Sequence, residues 1–206
     1  MKLLLTSAGI ESNGKTNAAI ATSLRSLLSK ATKHCRALMI THDTSVASIP
    51  YVNEAKLELQ ELGILDIDVF DLSHDDPSTI QGKFDLLYMN GGNTFHILEK
   101  LRAQNLVEPI KQMVENGTVY FGVSAGSILA GPDISIAGMG SQGDKNDIAL
   151  ENLTAFHFTD LIIFPHYRPE FYQEAGDMRT RFGNKLRVLS DEQAIQIKDG
   201  EERKIG

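Results

Sequence analysis

Short runs of continuous apolar residues recur along this chain, and they restrict the fold more than any other feature. A strand with one face in water alternates apolar and polar residues, whereas a strand covered on both faces is apolar throughout. Segments with the helical period separate these runs, and the alternation predicts an α/β fold with a doubly wound, mostly parallel sheet flanked by helices on both faces. The predicted strands are residues 2–6, 36–40, 68–72, 84–89, 118–123, 161–164 and 194–197, and the predicted helices are residues 17–30, 53–62, 94–103, 106–115 and 169–182.

The length and composition fit one globular domain. A chain of 206 residues, of which 42% are hydrophobic, can bury a single core, so we expect one domain over residues 1–206. The dipeptide Asp199-Gly200 after the last predicted strand is typical of a tight turn and predicts a C-terminal hairpin. Open sheets of this class bind ligands beyond the carboxyl ends of their strands, so we expect functional residues directly after each strand.

Charge and cysteine content exclude several classes of partner and site. Because 20 Lys and Arg face 27 Asp and Glu, the net charge of −7 repels nucleic acid and anionic membranes, and we expect neither as a partner. Cys35 is the single cysteine, so no intrachain disulfide or cysteine-rich metal centre can form. The first apolar run is too short for a signal peptide, and no run approaches the ~20 residues of a membrane span. We therefore expect a cytoplasmic monomer or homodimer.

A glycine-rich segment follows the first predicted strand. Residues 9–16 match the Walker A pattern, in which a loop wraps phosphates, and Gly14, Lys15 and Thr16 would then bind a nucleotide. No predicted strand ends in an Asp suited to hold the magnesium that such a site requires. The other interpretation, which we favour, is a helix start in which Asn13 or Thr16 caps the helix beginning near Asn17 and Gly14 provides the turn.

A second segment, Gly122-Val123-Ser124-Ala125-Gly126, follows the predicted strand 118–123 directly. A Gly-x-Ser-x-Gly turn between a strand and a helix exposes a serine hydroxyl above the sheet and directs the next backbone N–H into the same space. A serine nucleophile needs a base, and His166 follows the predicted strand 161–164. The alternative is a tight turn built from small residues, with Ser124 playing no chemical part.

The other histidines are weaker candidates for the base, and a third segment could bind an anion. His34, His74 and His96 lie in helical or solvated contexts, while His42 and His157 are somewhat stronger candidates for the base.

Residues 90–94 join a predicted strand to a helix, and their paired glycines let a backbone N–H approach negative charge. Three segments at three strand ends could therefore supply a nucleophile, a base and an oxyanion hole.

The motifs Gly-Gly-Asn-Thr-Phe at residues 91–95, Gly-x-Ser-x-Gly at 122–126 and Pro-His-Tyr at 165–167 occur in this order and separation. Together they closely resemble the peptidase E family of serine aspartyl dipeptidases, which are related to cyanophycinase and have the class I glutamine amidotransferase-like fold. The resemblance extends over residues 1–206. It implies Ser124 as nucleophile, His166 as base, and the backbone N–H groups of Gly92 and Ala125 as oxyanion hole.

The resemblance also implies an acid on the loop that follows the histidine. Alignment of the neighbouring apolar residues puts Asp191 at this position, with Glu192 as the fallback. The resulting order of serine, histidine and acid differs from that of α/β-hydrolases. An esterase or lipase would instead take its acid from between the serine and the histidine, where the chain has Asp133, Asp144 and Asp147.

We therefore expect a serine peptidase, a dipeptidase or exopeptidase that acts through an acyl-enzyme on small peptides, which could carry an N-terminal aspartate. This mechanism requires no metal or cofactor. Asn93 and Arg179 are candidate substrate-binding residues. The resemblance suggests Arg179, because the family uses an arginine after its catalytic histidine to hold an N-terminal aspartate and Arg179 is the nearest match. Arg168, Arg179 and Arg181 could equally form a solvated helix face. The remaining alternatives are a catalytically silent ligand-binding relative and, below it, the nucleotide-binding protein considered above.

Overall fold

The computed structural model describes residues 1–12, 15–42 and 49–206, and its centre is a seven-stranded sheet. The strands of the described residues are β1 (Lys2–Thr6), β2 (Glu11–Ser12), β3 (Lys15–Thr16), β4 (Arg36–Thr41), β5 (Asp66–Asp71), β6 (Leu86–Met89), β7 (Val119–Val123), β8 (Ile162–Phe164), β9 (Leu186–Val188), β10 (Ala194–Lys198) and β11 (Glu201–Ile205). The helices are α1 (Ala18–Leu27), α2 (Ile49–Glu61), α3 (Thr94–Ala103), α4 (Val107–Glu115), α5 (Ala125–Leu129) and α6 (Tyr172–Phe182).

The central sheet is mostly parallel, as the sequence predicts. Its strand order is β11-β10-β1-β7-β6-β4-β5, in which β1, β7, β6, β4 and β5 run parallel to one another. β10 pairs with β1 in antiparallel fashion and continues through Asp199 and Gly200 into β11, which forms the expected C-terminal hairpin. The carboxyl ends of β1, β7 and β6 therefore lie side by side at one edge of the sheet.

One predicted strand lies outside this sheet. β8, which corresponds to residues 161–164, pairs in parallel with β9 in a separate two-stranded sheet, and β9 is not among the strands predicted from the sequence. A short apolar run shows that a strand is buried, but it does not identify the strand with which it pairs. His166 therefore follows a strand of the small sheet, and not a strand of the central one.

Both faces of the central sheet are covered, which explains the continuous apolar runs. Leu3 and Leu5 belong to one hydrophobic cluster, whereas Leu4 between them belongs to another. Because side chains alternate across a strand, the two clusters lie on opposite faces. Helices α1 and α2 contribute buried residues to the Leu4 cluster, and α3, α4 and α5 contribute to the other. No helix in the described part of the chain has the length and apolar character to span a bilayer.

The described residues of the segment with the Walker-like pattern form paired strands. β2 and β3 form a small antiparallel hairpin, and Lys15 is exposed on it. Asn17 caps α1, because its Oδ1 accepts hydrogen bonds from the N–H groups of Ala19 and Ile20 at 3.1 and 3.2 Å. The predicted cap at Thr16 is therefore wrong, and the alternative cap at Asn13 lies outside the described residues together with Gly14.

Two glycines allow α5 to approach the sheet at backbone distance. A Cβ atom on Gly122 would lie 2.6 Å from the carbonyl oxygen of Gly126, and a Cβ atom on Gly126 would overlap the carbonyl oxygen of Met89. Only glycine fits such positions without a shift of the backbone. The start of α5 is therefore packed directly onto the carboxyl ends of β6 and β7.

We expect Gly126→Ala to lower the free energy of unfolding by about 1 to 3 kcal/mol or more, because the added methyl group overpacks a backbone contact. Gly176→Ala is the matched control, since Gly176 lies inside α6 and no atom lies within 4 Å of the position that an added methyl group would take. That variant should gain up to about 1 kcal/mol from its higher helix propensity. Urea unfolding of both variants measures the difference, and equal midpoints would contradict the close approach.

Candidate active site

Ser124 lies at the turn between β7 and α5, with a backbone conformation that few residues adopt. Its φ of 51° and ψ of −112° are strained for a residue with a side chain. The surrounding structure maintains this conformation: the N–H of Ser124 donates to the carbonyl of Thr6 at 3.1 Å, and the Ser127 hydroxyl lies 2.7 Å from that same oxygen. The serine is thereby attached to β1 as well as to β7.

Ser124, His166 and Asp191 form one continuous chain of hydrogen bonds. The Oγ of Ser124 lies 2.8 Å from Nε2 of His166, and Nδ1 of His166 lies 2.7 Å from Oδ1 of Asp191. His166 follows β8, and Asp191 lies between β9 and β10. The exposed Glu192, the fallback acid, makes no side-chain hydrogen bond to His166. With a proton on Nδ1, the imidazole can accept the serine proton at Nε2.

The environment of Asp191 favours its charged form. The hydrogen bond from His166 lowers the pKa of this carboxyl below its ordinary value, a second hydrogen bond from Ser7 acts in the same direction, and partial burial opposes both. An ionised Asp191 fixes the orientation of the His166 imidazole and favours its protonated form.

Ser7 is a residue of this site that is absent from the sequence-based candidates. It is fully buried directly after β1. Its hydroxyl donates to Oδ1 of Asp191 at 2.8 Å and accepts from the backbone N–H of His166 at 2.7 Å. Its position at the carboxyl end of a predicted strand was the available signal, because functional residues are expected there.

Two backbone N–H groups near Ser124 have no acceptor in the described residues. They belong to Gly92 and Ala125, the pair that the family resemblance assigns to an oxyanion hole. The glycine loop lies against the serine, since a Cβ atom on Gly91 would come 3.4 Å from Cβ of Ser124. Gly92 has a φ of 139°, which glycine adopts without strain. Free donors beside a nucleophile are the feature that an oxyanion hole requires.

Ser124 and His166 line two cavities. The larger has a volume of about 520 Å³ and includes Glu58 and His42 in its wall, and the smaller has a volume of about 80 Å³ and includes Glu174. Acidic side chains thus lie in the walls of both cavities. The larger cavity has Glu54 and Glu58, and the smaller has Asp144 and Glu174. No Lys or Arg is among the described residues that line either cavity.

Glu58 is a buried carboxyl in the wall of the larger cavity. Its Oε1 accepts from the backbone N–H of Glu11 at 2.9 Å, and its Oε2 accepts from the Tyr88 hydroxyl at 3.3 Å. Burial raises the pKa of Glu58 to about 7, although these hydrogen bonds and one from Ile10 act in the opposite direction. The carboxyl therefore changes charge near neutral pH within the cleft.

The structure does not bring the two candidate substrate-binding residues to the cavities. The amide of Asn93 caps α3: its Oδ1 accepts from the N–H groups of Phe95 and His96, and its Nδ2 donates to the carbonyl of Lys145. Arg179 lies exposed on α6 and lines neither cavity. Sequence spacing could not show this, because it does not determine which face of α6 is turned towards the serine.

The alternative acids are engaged elsewhere. Asp133 accepts from the N–H of Ser135, Asp144 accepts from Thr94, and Asp147 pairs with His96 at 2.6 Å.

Two further histidines also pair with carboxylates: Nδ1 of His74 lies 2.8 Å from Asp71, and Nε2 of His157 lies 2.9 Å from Asp160. Among residues 1–12, 15–42 and 49–206, no group of three or more His, Cys, Asp or Glu side chains is arranged to hold a metal.

Comparison with known proteins identifies one family. The model of peptidase family S51 matches residues 3–205. An uncharacterised peptidase of Listeria monocytogenes, Lmo0363, is 31% identical over 157 residues, which cover 73% of this chain and 76% of that protein. Peptidase E of a Shewanella species is 32% identical over 128 residues, which cover 62% of this chain and 49% of the relative. This chain therefore aligns with only about half of that peptidase E.

Solved structures show the same fold. A crystal structure of a candidate peptidase E protein from Listeria monocytogenes superposes with a TM-score of 0.78 at 25% identity, covering 98% of this chain and 96% of that one. A peptidase from an acI-B1 Actinobacterium superposes with a TM-score of 0.69 at 16% identity, over 100% of this chain and 87% of that one. The second comparison supports the fold alone.

We expect the stability of the protein to fall between about pH 5 and pH 8 because of Glu58. A carboxyl whose pKa is higher in the folded state than in the unfolded chain stabilises the fold at low pH, and that stabilisation is lost as the pH rises through the folded-state value of about 7. Relative to Glu58→Gln, which does not titrate, the wild type should lose about 2 to 3 kcal/mol over this range.

Denaturant unfolding of both proteins at several pH values measures this change. Glu61→Gln is the control, because Glu61 is exposed on the same helix and its replacement should leave the pH dependence unaltered. A constant difference between wild type and Glu58→Gln from pH 5 to pH 8 would show that burial does not perturb this carboxyl.

Proposed function

Since this chain belongs to peptidase family S51 and is therefore a serine-type peptidase, we propose that it is an exopeptidase or dipeptidase that hydrolyses small peptides through Ser124, His166 and Asp191. The observation that carries this proposal is the unbroken hydrogen-bond chain from Oγ of Ser124 to Oδ1 of Asp191. An unaided serine hydroxyl is scarcely ionised at neutral pH. His166, which is hydrogen-bonded to both Ser124 and Asp191, would activate the hydroxyl by accepting its proton.

The reaction has two stages. His166 accepts the proton of Ser124 at Nε2 as Oγ attacks the peptide carbonyl, and it then donates that proton to the departing amine. In the second stage, His166 takes a proton from water, which attacks the ester carbonyl and releases the acid while the proton returns to Ser124. The negative oxygen of each tetrahedral intermediate is stabilised by the free N–H groups of Gly92 and Ala125.

The dimensions of the cleft support a small substrate. The larger cavity, at about 520 Å³, has the volume of a small-molecule site, and the smaller, at about 80 Å³, has room for a few heavy atoms. Ser124 lies between them, so the residues on the two sides of the scissile bond enter cavities of different size. This difference favours short peptides with a compact residue on one side.

The charges of the cleft bear on the choice of substrate. Its carboxylates favour the free ammonium group of a peptide, which an exopeptidase or dipeptidase acting at the amino terminus encounters. They disfavour an acidic side chain at the scissile bond, because no described Lys or Arg lines the cavities. Arg181 of α6 lines neither cavity, and its guanidinium instead donates at 3.6 Å to Sδ of Met139, a residue in the wall of the smaller cavity. We therefore propose that the N-terminal residue of the substrate is neutral or basic, and not aspartate.

The two alternative functions have less support. A catalytically silent relative has no need of a complete chain from nucleophile to acid. A nucleotide-binding protein would need a loop between β1 and α1 that wraps phosphates, whereas the described residues of this segment pair as β2 and β3 and leave Lys15 exposed.

We expect Ser124→Ala and His166→Ala each to lower kcat by on the order of 10⁴ to 10⁶, because the loss of either the nucleophile or the base removes most of the activity of a triad. His34→Ala is the control, since His34 is exposed in the short helical turn after α1 and lines neither cavity. Hydrolysis of a panel of dipeptides and aminoacyl substrates, with circular dichroism to verify folding, provides the measurement. Ser124→Ala with more than a tenth of wild-type activity would exclude this mechanism.

We further expect a peptide headed by Asn to be hydrolysed about tenfold more efficiently than one headed by Asp, which is the scale of one partly screened repulsion between like charges. Glu174→Gln should narrow the ratio of kcat/KM between the two substrates, and Arg179→Ala should leave it unchanged. A tenfold preference for Asp that disappears in Arg179→Ala or Arg181→Ala would reverse the charge assignment while leaving the serine mechanism intact.

A further inference from the structure

The proposed triad is assembled from two separate sheets. Ser124 lies at the end of β7 in the central sheet, whereas His166 follows β8 of the two-stranded sheet. Asp191 lies on the connection from β9 of the small sheet to β10 of the central one. Since the two sheets share no strand pairing, other contacts must hold His166 within 2.8 Å of Ser124.

Ser7 makes such a contact. Its backbone belongs to the carboxyl end of β1, the strand next to β7, and its N–H donates to the carbonyl of Gln193 at 3.3 Å. Its hydroxyl reaches two members of the triad at once, as acceptor from the backbone of His166 and as donor to the carboxylate of Asp191. A hydroxyl has a single proton to donate, and here that proton is engaged with Asp191.

The backbone of His166 requires such support. Its φ of 56° lies in the left-handed region, which is unfavourable for a residue with a side chain. The hydrogen bond from its N–H to Oγ of Ser7 offsets part of this cost, and the next residue, Tyr167, is held by a bond to the carbonyl of Leu189 at 2.9 Å. The strained conformation directs the imidazole towards the serine.

We propose that Ser7 is a positioning residue, which holds His166 and Asp191 in register with Ser124. This role rests on the proposed function. Ser7 acts through the other two residues: it fixes the backbone from which the imidazole projects and the oxygen that orients this ring. Its hydroxyl serves as neither nucleophile nor base, because its proton is donated to Asp191, whereas Nε2 of His166, the nitrogen that acts as the base, lies 2.8 Å from Oγ of Ser124.

We expect Ser7→Ala to lower kcat by about 10- to 100-fold, the scale of a misplacement of catalytic groups by about 1 Å, while KM changes less than about twofold. Ser7→Thr retains the hydroxyl and should recover most of the lost kcat. The rate of inactivation by a serine-directed fluorophosphonate should fall with kcat, since both report the reactivity of Ser124. Activity of Ser7→Ala within twofold of wild type would overturn the proposal.

A double-mutant cycle with Asp191→Ala distinguishes positioning from a general structural effect. If Ser7 acts through Asp191 and His166, Ser7→Ala should cost less than about threefold in the Asp191→Ala background. An equal loss in both backgrounds would show that Ser7 only supports the fold. Should Ser7→Ala fail to fold, Ser7→Cys decides in the same cycle, because the thiol is close in size and a weak donor. If Ser124→Ala is itself active, the proposed function fails, and that result is separate from these outcomes.

Discussion

The backbone contact between the start of α5 and the carboxyl ends of β6 and β7 determines where Ser124 lies, and the candidate site is arranged around it. Gly122 and Gly126 make this contact possible, because a side chain at either position would collide with a carbonyl group. The contact leaves Ser124 in a strained conformation, which hydrogen bonds to Thr6 from Ser124 and Ser127 stabilise. The hydroxyl of Tyr120 donates to the carbonyl of Gly126 at 2.6 Å and holds the first turn of α5.

The remainder of the site comes from segments that approach this turn from elsewhere in the chain. The glycine loop after β6 lies against Ser124, and His166 and Asp191 reach it from the small β8–β9 sheet and its connection to β10. Ser7, at the end of β1, contacts both of these residues. Ser124 is thus attached through its backbone to the central sheet, while His166 and Asp191 are joined to that sheet by packing of the small sheet in the shared hydrophobic cluster and by the hydrogen bonds of Ser7.

Much of this architecture is predictable from the sequence. The features that are not predictable depend on contacts between residues far apart in the chain. Apolar periodicity identifies six strands of the central sheet and the helices α1, α2, α3, α4 and α6, but not the short α5. The Gly-x-Ser-x-Gly spacing identifies Ser124 as the candidate nucleophile, and both signals are local. The pairing of β8 with β9 is not local, nor are the contacts of Ser7 with residues 159 and 184 positions away. Arg179 illustrates the same limit, because its segment is correctly predicted as a helix and yet its side chain lines neither cavity of the cleft.

The proposed function requires that Ser124 is the nucleophile and that His166 activates it. Its most direct test is treatment with a fluorophosphonate, followed by digestion and mass spectrometry of the labelled peptides. We predict a single label on the peptide that contains Ser124, with labelling greatly slowed in His166→Ala. Complete loss of hydrolysis with the label on a different serine, and with Ser124 unmodified, would contradict it.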